Sequence, residues 1–139
     1  MNAKSNEFGP PTERELEILK ILWERGRASV REVYEEMRRS APIVQNTVQA
    51  FLRTMEDKGL VRHEVEGRTF VYEPVPRKDE TERRLVSGVL QRVFDGAIDQ
   101  LVQSVLSLRD PTPEELARLQ AMIDRAKRRR PDAHREEKP

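Results

Sequence analysis

At Gly59 the spacing of apolar residues changes period, and few folds accommodate that change. Before it, Val48, Phe51, Leu52 and Met55 recur at i, i+3, i+4 and i+7, one buried stripe on a helix that runs from Ile43 to Gly59. After it, residues 60–65 and 68–73 read with period 2, rich in β-branched and aromatic side chains, with Glu66-Gly67 as a tight turn between them. A Gly closes the helix and a hairpin follows it.

Two further helical segments precede the central one. Thr12 with Glu15, and Ser29 with Glu32, have the spacing at which a hydroxyl caps one backbone N–H while the glutamate reaches back to another. The first segment carries Leu16, Leu19, Ile21, Leu22 and Trp23 and stops at Arg25-Gly26; a short link with one extended residue pair leads to the second. The second buries Val30, Val33, Tyr34 and Met37, and Pro42 disfavours its continuation. Three helices and a hairpin in this order, with short connections, predict a winged helix-turn-helix, a mainly α domain with a small β-hairpin wing. Trp23, Phe51, Phe70 and Tyr72 are expected in its core. The expected division is a flexible arm at 1–11, the winged-helix domain at 12–76, a helical dimerisation domain at 77–130 and a flexible tail at 131–139.

The C-terminal part is helical throughout after a linker at residues 74–80. One helix is expected from Thr81 to Phe94, a second from Ala97 to Leu108 after the Asp95-Gly96 break, and a third after Asp110-Pro111. Thr112-Pro113-Glu114-Glu115 is the strongest start signal in the chain: N-cap Thr, Pro at the first helical position, Glu at the third. The basic run at residues 127–130 suits a helix C-terminus, where the backbone dipole favours positive charge. A segment this small cannot bury all its Leu and Val by itself. A second copy is therefore expected to cover Val86, Val89, Leu90, Val93, Leu101, Val105 and Leu106.

Function is read from the side of the central helix opposite its apolar stripe. Gln45, Asn46, Gln49 and Arg53 lie there, flanked by Thr47 and Ala50, and Gln45, Gln49 and Arg53 fall four apart in one row. Lys and Glu make better helices than Asn or Thr, so an amide row ending in a guanidinium is a costly surface. These side chains match adenine and guanine edges in the DNA major groove. On the wing, Arg62 and Arg68 are placed to touch phosphate or the minor groove. Arg38 and Arg39, at the end of the second helix, are further phosphate candidates. The net charge of the 139 residues is only +1, so any basic surface comes from local placement rather than bulk charge. There is no Cys, and His63 and His134 are the only histidines, which excludes thiolate metal sites and leaves no nucleophile–base pair for an enzyme. No metal or cofactor is expected, and His63 reads as ordinary strand surface. No run has the ~18 apolar residues of a membrane span, so a soluble cytoplasmic protein is expected. The rival reading is a winged-helix module that docks proteins without binding DNA; such a module exposes apolar anchors where this helix has amides.

Several stretches together resemble one family. They are residues 12–19, Leu22-Trp23 followed by Gly26, Asn46-Thr47-Val48, residues 56–61 and residues 66–72. With the Phe94-Asp95-Gly96 break and the helix from Thr112 to Ile123, the chain is similar to the penicillinase-repressor (BlaI/MecI/CopY) family over residues 12–126. The resemblance implies a dimeric winged-helix repressor on a palindromic double-stranded operator, with a membrane metallopeptidase sensor as a partner that prompts its cleavage. Two departures stand out. The C-terminal cysteine cluster of copper-responsive members is absent. Ser107-Leu108 occupies the place at which the β-lactam-responsive members are cut between Asn and Phe.

Overall fold

The structure, a computed structural model, describes residues 9–130. Most of the arm expected at 1–11, and all of the tail expected at 131–139 with His134, lie outside the described residues. Helix α1 spans Glu13–Arg25; the Thr12 hydroxyl accepts from the Glu15 N–H, and the Glu15 carboxylate accepts from the Thr12 N–H at 2.9 Å. Gly26 ends it at φ 87°, a region open to glycine. A two-residue strand β1 (Ala28–Ser29) runs straight into α2 (Val30–Met37), which opens with the expected Ser29–Glu32 capping box. Helix α3 covers Gln45–Lys58 and closes on left-handed Gly59. Strands β2 (Val61–Glu66) and β3 (Thr69–Pro74) form the wing, and the sheet order is β1-β3-β2, all antiparallel.

The apolar stripes converge as the periodicities require. Ile18, Leu19 and Leu22 of α1, Val33 and Met37 of α2, Val48, Leu52 and Met55 of α3, and Val61 and Tyr72 of the wing base form one buried cluster. Phe51 is partly buried against it. Trp23 is also only half-buried, and its Nε1–H donates to the Pro76 carbonyl at 3.0 Å. Glu15, 2 % exposed, is the charged side chain within this core, and Lys58 Nζ reaches its Oε2 at 2.7 Å.

Two expectations about the wing are corrected. Glu66 pairs with Thr69, so the turn is Gly67-Arg68 rather than Glu66-Gly67, and Arg68 stands in the loop rather than in the returning strand. Positive φ (66°) falls on Gly67 alone, as in Gly-X hairpin loops. Phe70 is not core: it is 46 % exposed. Alternation puts Phe70 and Tyr72 on one face, but that face overlies the helices only at the wing base, and toward the tip Val65 and Phe70 pair in the open.

Compact units divide between Val89 and Leu90, inside helix α4 (Lys78–Arg92). That helix starts before the expected Thr81, because Thr81 is itself buried in the first unit and its N–H bonds the Arg77 carbonyl. It also ends before Phe94. The break has Asp95 and Gly96 at φ 51° and 84°. In the second unit, α5 (Ile98–Leu108) and α6 (Pro113–Arg129) contain no buried residue. Helix α6 opens with the Thr112–Glu115 capping box, and Arg109 grips Glu115 through two bonds of 2.8 and 2.9 Å.

Candidate nucleic-acid interface

Burial fixes which side of α3 can meet a ligand. With Val48, Leu52 and Met55 turned into the core, Gln45, Asn46, Thr47, Gln49, Ala50 and Arg53 are all exposed. They project from one continuous surface, and none of their side chains is tied up in a hydrogen bond among the described residues. Residue Val44, at the N-cap, makes no side-chain cap and is 62 % exposed.

Arginines in the winged-helix domain sort sharply by partner. Arg14 faces Glu17; Arg25 faces Glu32 and Glu36; Arg27 faces Glu64 and Glu66. Arg31 and Arg38 face Glu35, Arg39 faces Glu36, and Arg62 holds Glu73 at 2.8 Å, its cross-strand neighbour. Only Arg53 and Arg68 have no carboxylate within salt-bridge reach among the described residues at 12–76. Exposed pairs are worth little to stability, but each cancels a positive charge that an anion would otherwise feel. The uncancelled guanidinium groups are thus one on the outer face of α3 and one at the tip of the wing. For Arg62, a phosphate has to compete with Glu73. Arg38 lies 5.5 Å from the centre of the Tyr34 ring as well as pairing with Glu35.

Between α3 and the wing lies a group that reading the sequence did not find. His63 stacks on Phe70, with ring centroids 4.1 Å apart and planes 12° from parallel, and its Nδ1 lies 2.8 Å from the Glu56 carboxylate. It is therefore a packed and partnered residue rather than open strand surface. Burial pushes the neighbouring Tyr72 phenol up; Glu56 adds to that and Arg53 opposes it. The Phe70–His63–Glu56 chain ties the wing to the C-terminal half of α3. Cross-strand alternation could have suggested the His63–Tyr72 pairing, but the Glu56 partner depends on how α3 meets the sheet.

Among the described residues, no cluster of three His, Asp or Glu side chains is placed to hold a metal, and no helix is long and apolar enough to cross a membrane. Along the C-terminal helices, the residues expected at an interface are open in the single chain. Val86, Val89, Val93, Val105 and Leu106 are 39–64 % exposed, while Leu90 and Leu101 are half-buried. Ser107 bonds back to the Ser104 carbonyl, and Leu108, at the end of α5, is 80 % exposed.

The sequence is similar to known proteins over most of its length. The profile of the penicillinase-repressor family matches residues 11–125. The penicillinase repressor of Bacillus licheniformis is 28 % identical over 120 residues, covering 86 % of this chain and 93 % of the relative. The methicillin resistance regulatory protein MecI of Staphylococcus aureus is 18 % identical over 111 residues, covering 80 % of this chain and 90 % of the relative. The solution structure of the DNA-binding domain of the repressor BlaI aligns with 30 % identity and a TM-score of 0.46, over 50 % of this chain and 85 % of that one. With a match that spans both the winged-helix unit and the C-terminal helices, the chain belongs to the penicillinase-repressor family, a family of transcriptional repressors and not of enzymes.

Proposed function

We propose that this protein is a homodimeric cytoplasmic repressor that binds a palindromic operator in double-stranded DNA. Helix α3 enters the major groove, where Gln45, Asn46, Gln49 and Arg53 meet base edges and Thr47 and Ala50 pack beside them. Arg68 at the wing tip touches phosphate or the minor groove, and Arg62 contributes if it leaves Glu73. The observation that carries the reading is the sorting of charge: the arginines without a carboxylate partner in the winged helix sit on the outer face of α3 and at the wing tip, beside an amide row with no partner of its own.

Residues 77–130 supply the second half of the proposal. Their apolar side chains are open in one chain, and covering Val86, Val89, Leu90, Val93, Leu101, Val105 and Leu106 against a second copy removes that surface from water. Two heads joined in this way raise each other's effective concentration on DNA. Release of the operator belongs to cleavage in the C-terminal helices, prompted by a membrane metallopeptidase sensor as partner. Selection of the full-length protein on random duplexes tests the proposal. It should enrich a two-fold sequence with half-sites about one helical turn apart, on the order of 10 base pairs, or a multiple of that. Binding that enriches no sequence overturns it.

A further inference from the structure

Helices α1 and α2 both begin with a reciprocal capping box, whereas α3 begins at Val44, whose side chain caps nothing. Valine is among the poorest N-cap residues, and Ser, Thr, Asp or Asn at this position would strengthen the helix. The same valine is 62 % exposed, so it gains nothing from burial either. Residue 44 is thus poor for the helix and poor for solvation, and such local inconsistency is expected at working surfaces. Its backbone is nevertheless held, since its carbonyl accepts from the Thr47 and Val48 N–H groups at 3.1 and 3.3 Å. Val44 and Thr47 therefore lie one turn apart on one edge of α3, and they line a single groove with Tyr34, Arg38 and Phe51.

We propose that Val44, with the methyl of Thr47, is a specificity-determining contact to the C5-methyl of a thymine in the operator. This rests on the proposed function. The N-terminal residues of a recognition helix are the ones that approach base edges. The thymine methyl is the apolar group that base pairs present in the major groove. Gln45, Asn46 and Gln49 supply hydrogen-bonding groups beside it, and Val44 supplies what they lack. Of the large apolar side chains in that groove, Ile43, Tyr34 and Phe51 are partly buried against the core, and Val44 is the one left exposed.

The test uses the full-length protein on its selected duplex, with each thymine in turn replaced by uracil, which removes the methyl and leaves pairing intact. In the wild type, one such replacement per half-site should weaken binding about threefold to tenfold, the scale of one buried methyl. In Val44→Ala the same replacement should cost less than about twofold. Val44→Ser separates this role from a structural one: the new hydroxyl caps α3 and should raise the melting temperature while affinity falls. A flat uracil series, or a penalty that persists unchanged in Val44→Ala, overturns the proposal while leaving specific binding intact. Equal binding to all duplexes removes the recognition helix itself, and this contact with it.

Discussion

Lys58→Met probes the buried ion pair that joins the start of α1 to the end of α3. Glu15 is 2 % exposed, with one carboxylate oxygen bound to Lys58 Nζ at 2.7 Å and the other to the Thr12 N–H at 2.9 Å. Methionine fills the volume of the lysine stem but leaves a buried carboxylate facing apolar atoms. Breaking a buried pair in this way costs about 3–5 kcal/mol. Lys58 retains 23 % side-chain exposure, so water has some access, and Glu15 keeps its backbone partner. Both facts place the cost near the lower end, about 3 kcal/mol, a large part of the stability of a small domain. Glu15→Gln should cost less, because the neutral amide still accepts from Thr12 and Lys58 can turn toward solvent. The double variant should recover at least about 1 kcal/mol relative to Lys58→Met alone, since the unpaired charge is gone. Urea unfolding of the four proteins measures this directly. A midpoint for Lys58→Met within about 0.5 kcal/mol of wild type would refute the reasoning.

Arg68→Ala should weaken specific and non-specific duplexes alike and flatten the salt dependence by about one unit, because one phosphate contact is lost; a loss confined to the operator would indicate base readout instead. Val105→Asp changes a residue that is 53 % exposed in the single chain, so the protomer should stay folded while the dimer dissociates, as sedimentation velocity at micromolar concentration will show. An unchanged dimer would place the interface elsewhere. Arg109 holds the Glu115 carboxylate down at about 2, with the Thr112 backbone adding to this. A depressed carboxylate contributes stability above its ordinary value of 4.5 and loses it as pH falls toward about 2. Helicity near α6 should decline across that window, and Glu115→Gln should flatten the decline; identical acid profiles would contradict it.

What could be seen in the sequence was local. The capping boxes at Thr12, Ser29 and Thr112 are spaced three residues apart, so their hydrogen bonds depend on no tertiary contact. The buried stripe of α3 follows from helical period, and its exposed face follows from the stripe. Contacts between distant residues were not legible. Glu15 and Lys58 are 43 positions apart, and the capping box that singles out Glu15 says nothing of burial or of a lysine partner. The same applies to the arginines: Arg27 and Arg62 read like Arg68 until the fold brings Arg27 to Glu64 and Glu66 and strand register sets Arg62 opposite Glu73. Phe70 shares a face with the buried Tyr72, and alternation alone does not say where the hairpin outgrows the helices beneath it. The short β1 is strand only because Ala28 and Ser29 find Tyr72 and Val71 opposite.

Affinity of Gln49→Ala and Arg53→Ala for the selected operator, measured beside a scrambled duplex and with melting temperatures for each protein, tests the central claim most directly. Both side chains are exposed and both substitutions leave Val48, Leu52 and Met55 in place, so stability should hold. Each loses about 1–3 kcal/mol on the operator where it makes a bidentate base contact, with a smaller change on the scrambled duplex. Operator affinity unchanged in both variants would contradict α3 as the helix that reads DNA.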